Sequence, residues 1–143
     1  MATDFQTRLS YMQAVTAAAL SEDVLEINSF QGQNEGPTKV PFWVRVDEDF
    51  ATATTINFQV VGGNNPDLSD AVVIEESGDM DVADAAAGYV WKGYLNHHTP
   101  CMYLGFKYVP DADATAGKVT AAFALYNTQN AGLYASAGTI TIN

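Results

Sequence analysis

Val40-Pro41-Phe42-Trp43-Val44-Arg45-Val46 sends an apolar side chain one way at every second residue and the series Pro41, Trp43, Arg45 the other way. Successive side chains of a β-strand point to opposite faces, so Val40, Phe42, Val44 and Val46 share one face of a strand and commit it to a core. The same period recurs in Ile56, Phe58 and Val60, in Met102, Leu104, Phe106 and Tyr108, and in Val119, Ala121, Phe123 and Leu125. Leu25 and Ile27 carry a shorter version. Turn formers separate these runs at Gln31 to Pro37, Gly62 to Asp67, Glu75 to Asp84 and Pro110 to Gly117. About seven or eight short strands with turns at regular spacing predict an all-β, antiparallel β-sandwich, with a jelly roll as the expected topology.

Around that frame the sequence predicts local detail. The runs 102–109 and 118–126, joined by the turn 110–117, read as a paired hairpin. Asp47-Glu48-Asp49 is expected to end the strand that begins near Val40, and Ala71 to Ile74 reads as a strand covered on both faces. In Gly88 to Leu95, Tyr89, Trp91 and Leu95 line one side. The segment Gln13 to Leu20 is alanine-rich but holds β-branched Val15 and Thr16, which leaves helix and strand both open. Residues 1–12 show no period and are read as an N-terminal arm, ordered only against a partner and removable without loss of the fold. The sandwich domain then spans 13–126. A C-terminal extension, 127–143, closes with Thr139-Ile140-Thr141-Ile142, a piece suited to adding to a sheet edge.

Composition narrows the function classes. A chain of 143 residues with 48% apolar side chains can bury one core without staples, and its single cysteine, Cys101, excludes an internal disulfide. Six Lys and Arg against seventeen Asp and Glu leave a net charge of −11, which opposes binding to a phosphate backbone, so nucleic acid is not an expected partner. No apolar stretch approaches the ~18 residues of a membrane helix, and the start Met1-Ala2-Thr3-Asp4-Phe5 carries an acid where a signal peptide carries base. Synthesis in the cytoplasm and no membrane partner are expected.

Catalytic patterns are thin. His97-His98 are adjacent, so on a strand they aim to opposite faces and do not converge on one metal. Asp79-x-Asp81 and Asp111-x-Asp113 lack the further spaced ligands of a calcium loop and read as solvated turns. No nucleophile elbow or phosphate-cradling loop appears. The reading is a non-enzyme without cofactor or metal. Opposite the core set, Trp43, Tyr103, Val109, Ala122, Ala124 and Tyr126 fall where a solvated face carries charge; either the tail or a loop of the same chain covers them or, as read here, they form a subunit interface. An alternative is a carbohydrate-binding module stacking sugars on Trp43, Trp91 and Tyr94, although alternation assigns Trp91 to the core side.

The order of segments carries a resemblance. Gln13-Ala14-Val15-Thr16, Asp23-Val24-Leu25-Glu26-Ile27, Val44 to Phe50, Thr55 to Val60, Leu68-Ser69, Val82-Ala83 before Ala87-Gly88-Tyr89, Tyr103-Leu104 and Gly117 to Ala121 form a series over about residues 10–126. In that series and in length the chain resembles the capsid cement (decoration) proteins of short-tailed double-stranded-DNA bacteriophages. The resemblance implies a jelly-roll subunit that forms a homotrimer on the outer surface of the virion and cross-links the major capsid protein. The arm, through Phe5, Arg8, Leu9, Tyr11 and Met12, is then the expected capsid contact.

Overall fold

A computed structural model describes residues 8–26, 39–96 and 102–123. Ten strands appear in it: β1 (Arg8–Ala14), β2 (Ala19–Leu20), β3 (Leu25–Glu26), β4 (Lys39–Ala51), β5 (Thr55–Gly63), β6 (Val72–Glu76), β7 (Met80–Asp81), β8 (Val90–Asn96), β9 (Tyr103–Pro110) and β10 (Ala116–Phe123). They form two antiparallel sheets. The first has the order β1-β10-β4-β8; the second has β2-β9-β5-β6, with β3 beside β9 and β7 beside β5.

The pairings explain the topology. β5 pairs with β6 and β7, β4 with β8, the pair β2 and β3 with β9, and β1 with β10. That is a single long antiparallel hairpin with its tip between β5 and β6, whose arms run back toward the two chain ends. The pairings β4 with β10 and β5 with β9 then roll this hairpin into two stacked sheets. With β2–β3 and β6–β7 each counted as one interrupted strand, the result is the eight-strand jelly roll.

Period-two alternation is what lets the two sheets seal. Val40, Phe42, Val44, Val46, Val119, Ala121 and Phe123 face inward from the first sheet and Ile56, Phe58, Val60, Leu104, Phe106 and Tyr108 from the second, all buried. Rings make the contact across the sandwich: Phe106 stacks on Phe123 at 4.7 Å between centroids, and Phe58 packs against Trp91 at 6.3 Å. These separations lie in the favourable range for offset and tilted aromatic pairs.

One polar group sits among these rings. Tyr108 is fully buried, and its hydroxyl lies 2.7 Å from Ser10 Oγ. Ser10 Oγ donates its only proton to Gln13 Oε1 at 2.6 Å, so Tyr108 is the donor to Ser10. Gln13 completes the chain by donating from Nε2 to the Leu20 carbonyl and accepting from the Glu22 N–H, which ties β1 to β2. Burial drives the Tyr108 pKa upward. The folded phenol therefore stays protonated where an unfolded tyrosine, near pH 10, ionises. The unfolded state binds fewer protons in that window, so unfolding free energy falls as pH rises above about 10. Urea titrations between pH 7 and 11 are expected to show this alkaline loss, and Tyr108→Phe is expected to flatten it while costing about 1 kcal/mol at pH 7.

Several expectations are corrected. Strands β9 and β10 do not pair; they lie in opposite sheets, and residues 111–115 cross between them. Ala71 to Ile74 is not covered on both faces, because β6 ends its sheet and leaves Val72 and Val73 exposed. Strand β4 does not stop at Asp49 but runs to Ala51, since a register shift opposite Lys118 lets Phe50 turn inward. Residues 8–12 are not arm: they belong to β1, with Leu9 in the core and Ser10 buried. Removing residues 1–12 would strip Leu9 and Ser10 from the sandwich, so that deletion is not neutral for folding. The helix alternative for Gln13 to Leu20 also fails, since the segment is the end of β1, a bend and β2.

Candidate interaction surfaces

The outer face of the first sheet is built by three cross-strand rungs between β4 and β8: Arg45 opposite Val90, Trp43 opposite Lys92 and Pro41 opposite Tyr94. Directly opposed residues on an antiparallel pair lie on one face, so these six side chains share a surface. They line a groove of about 580 Å³. Gly93 opens its floor: a Cβ there would stand 2.9 Å from the Phe42 ring, and without one the ring borders the groove from the core side. Arg45 places its guanidinium carbon 5.7 Å from the Trp43 ring centroid and its Nε 2.8 Å from Asp47 Oδ1. The other Asp47 oxygen accepts a short hydrogen bond from the Thr120 hydroxyl, whose oxygen in turn accepts from the Met12 N–H at 3.0 Å. Lys92 is exposed and has no hydrogen bond or ion pair among the described residues.

Charge is unevenly spread. Five of the six basic residues, Arg8, Lys39, Arg45, Lys92 and Lys118, lie on strands of the first sheet, and only Lys107 lies on the second. Glu75, Glu76, Asp79 and Asp81 crowd the β6–β7 margin of the second sheet. Exposed apolar side chains are also grouped. The short links β1 to β2 and β7 to β8 put β1 over β2 at one flank of the sandwich and β8 over β6 at the other. The first flank exposes Tyr11 (56%), Met12 and Leu20; the second exposes Val72 (66%), Val73, Val90 and Tyr94 (62%).

The six-residue interface set divides on this geometry. Trp43 and Ala122 are register partners on the outer face of the first sheet, whereas Tyr103 and Val109 lie on β9 in the second sheet, so the four do not form one surface. Ala122 is fully buried between Arg8 and Trp43 in the register. Ala124 and Tyr126 lie outside the described residues. Of the expected capsid-contact set, Tyr11 and Met12 are exposed and Arg8 sits 4.3 Å over the Tyr11 ring, but Leu9 is a core residue; Phe5 lies outside the described residues. For a sugar platform, Trp91 packs on Phe42 at 4.9 Å and only Trp43 and Tyr94 reach the groove. The sequence reading missed Val72, Val73, Val90 and Lys92.

One member of the acidic pairs has a structural role. Asp111 Oδ1 accepts the N–H groups of Thr54 and Thr55 at 2.8 and 3.1 Å, and these bonds, Thr55's first, hold its carboxyl below the ordinary range. It anchors the β4–β5 turn to the start of the crossing segment. Among the described residues no three His, Cys, Asp or Glu side chains gather where they could hold a metal ion, and no helix is long and apolar enough to cross a membrane. His97, His98 and Cys101 lie outside the described residues.

No curated protein sequence matches the chain. The Bbp16 family model matches residues 9–123, which runs from the second residue of β1 to the last of β10 and so covers all of the described sandwich but Arg8. The chain belongs to the Bbp16 family.

Proposed function

We propose that this chain is a structural, non-catalytic virion protein that coats the outside of a phage head as a homo-oligomer, three copies by the resemblance above, and cross-links major capsid subunits. The observation that carries the reading is the pair of apolar flanks on opposite sides of one rigid sandwich, Tyr11, Met12 and Leu20 at one and Val72, Val73, Val90 and Tyr94 at the other. A cross-linking subunit needs two separate docking surfaces, and burying aromatic and aliphatic side chains is what such surfaces use. Several copies held together turn a modest contact per copy into firm attachment, because each later contact forms at raised effective concentration.

In this reading the β1–β2 flank meets the capsid. Tyr11→Ser removes an exposed ring that lies under the Arg8 guanidinium and outside the core, so the melting temperature is expected to stay within a few degrees of wild type. Occupancy on undecorated heads, measured by co-sedimentation, is expected to fall tenfold or more, as for loss of an interface aromatic. Tyr11→Ser protein that fills heads like wild type would remove this flank from the contact. Wild-type protein that never fills them would remove the cement role. Selective glycan binding lost in Trp43→Ala would instead favour the carbohydrate-binding module.

A further inference from the structure

We infer that the β8 margin with its groove is the seat for the β6–β7 margin of a second copy of this chain. The inference rests on the multi-copy reading above and names the surfaces that meet. β8 and β6 are the end strands of the two sheets and lie on one flank, so each has a backbone edge unpaired among the described residues. Such an edge normally carries charge or is covered. Here both margins expose large aliphatic or aromatic side chains, Val90 and Tyr94 on β8 and Val72 and Val73 on β6.

Their charges are opposite. The β8 side offers Lys92, exposed and unpaired among the described residues, beside an Arg45 already paired with Asp47, while the β6–β7 side offers Glu75 and Asp79, both exposed. In a chain of net charge −11 a second copy is strongly acidic, and two copies approaching at random repel each other. Lys92 is the point on the β8 margin where the repulsion is locally inverted, and the β6–β7 margin is an acidic surface of the same molecule that also carries apolar side chains to bury. Matching a basic apolar strip to an acidic apolar strip fixes the register of the contact and excludes like-on-like pairing.

The test is a charge exchange within one chain, read by mass in solution across a dilution series. Lys92→Glu and Glu75→Lys are each expected to raise the dissociation midpoint of the assembly tenfold or more, and the double variant K92E/E75K is expected to recover most of that loss. Both positions are exposed, so all three variants should melt near wild type, and the melting curves check this. Single reversals that leave the mass unchanged, or a double variant that assembles no better than the singles, would overturn the contact, as would a monomeric wild type. Head occupancy measured on the same proteins separates the two readings. Loss of occupancy in Lys92→Glu at unchanged mass would assign the groove to the capsid protein and overturn the self-contact. A normal charge-exchange series with no wild-type head binding would leave the self-contact standing and remove the cement role.

Discussion

Gly117→Val is expected to leave little folded protein at 37 °C. Gly117 has φ of +142°, a backbone conformation that side-chain-bearing residues rarely adopt. A Cβ at this position would stand 2.3 Å from Phe50 Cδ1 and 2.7 Å from its Cε1. Phe50 is itself buried and its ring faces Phe58 at 6.3 Å, so it has no solvent to swing into. The Gly117 N–H donates to Glu48 Oε1 and its carbonyl accepts from the Val15 N–H, so the backbone cannot shift without releasing both. Backbone strain of about 1–3 kcal/mol and overpacking of about 1–3 kcal/mol act together. Against the ~5–15 kcal/mol typical of a domain, a loss near 4 kcal/mol is expected to lower the urea midpoint sharply and move expression toward inclusion bodies. Gly117→Ala tests the same geometry with less bulk and should fall between wild type and valine. A valine variant that melts within 2 °C of wild type would mean that Phe50 does not hold its place over this bulge.

Gly117 also shows where the sequence stops being readable. The inward faces of β4, β5, β9 and β10 follow from alternation alone, and every residue of Val40, Phe42, Val44, Val46, Ile56, Phe58 and Val60 is buried as its period requires. Alternation says which way a side chain points; it does not say which strand lies beside it. The runs at Leu104 and Val119 have matching apolar faces because those faces meet across the core, Phe106 on Phe123, and not because the strands share a ladder. The segment between them, residues 111–115, is within the length of a hairpin loop and still crosses from one sheet to the other, so its length gave no warning. Strand β1 was illegible for a different reason. Its register shifts twice against β10, and Met12 takes a φ of +47°, so Arg8 to Ala14 has no regular period to detect.

The interaction surfaces were harder to see than the core. An exposed valine in an edge strand and a buried valine in a central strand look alike in sequence, and only the order β9-β5-β6 shows that Val72 and Val73 lie at a margin. Trp43 was correctly placed outward, but grouping it with Tyr103 required β9 and β10 to be neighbours, and they are not. Lys92 carried a usable signal: a lysine between Trp91 and Gly93 in an otherwise apolar strand marks the solvent-facing side. Its meaning depends on β8 being the end of a sheet, which is a property of topology.

Phe58→Ala is expected to cost about 4 kcal/mol, comparable to Gly117→Val but by the opposite mechanism. Phe58 is fully buried at the centre of β5, with Phe50, Trp91 and Tyr108 rings at 6.2–6.3 Å around it. Those three neighbours come from β4, β8 and β9, so the ring joins both sheets. Truncation removes its transfer free energy and leaves a cavity whose walls are rigid aromatics held by their own strands, which limits collapse; Phe→Ala changes in such sites cost about 3–5 kcal/mol. Equilibrium unfolding in urea reads the loss directly, with the m-value unchanged if the sandwich still unfolds as one unit. Phe58→Leu separates packing from ring contact and should recover roughly half the loss, because leucine refills much of the volume without the aromatic edge. The functional consequence follows from position. Trp91 packs on Phe58 from β8, the strand that presents Val90, Lys92 and Tyr94 at the margin. Loosening Trp91 is therefore expected to weaken self-association in Phe58→Leu at temperatures where it is still fully folded. Assembly indistinguishable from wild type under those conditions would mean that the β8 margin holds its shape without support from the core.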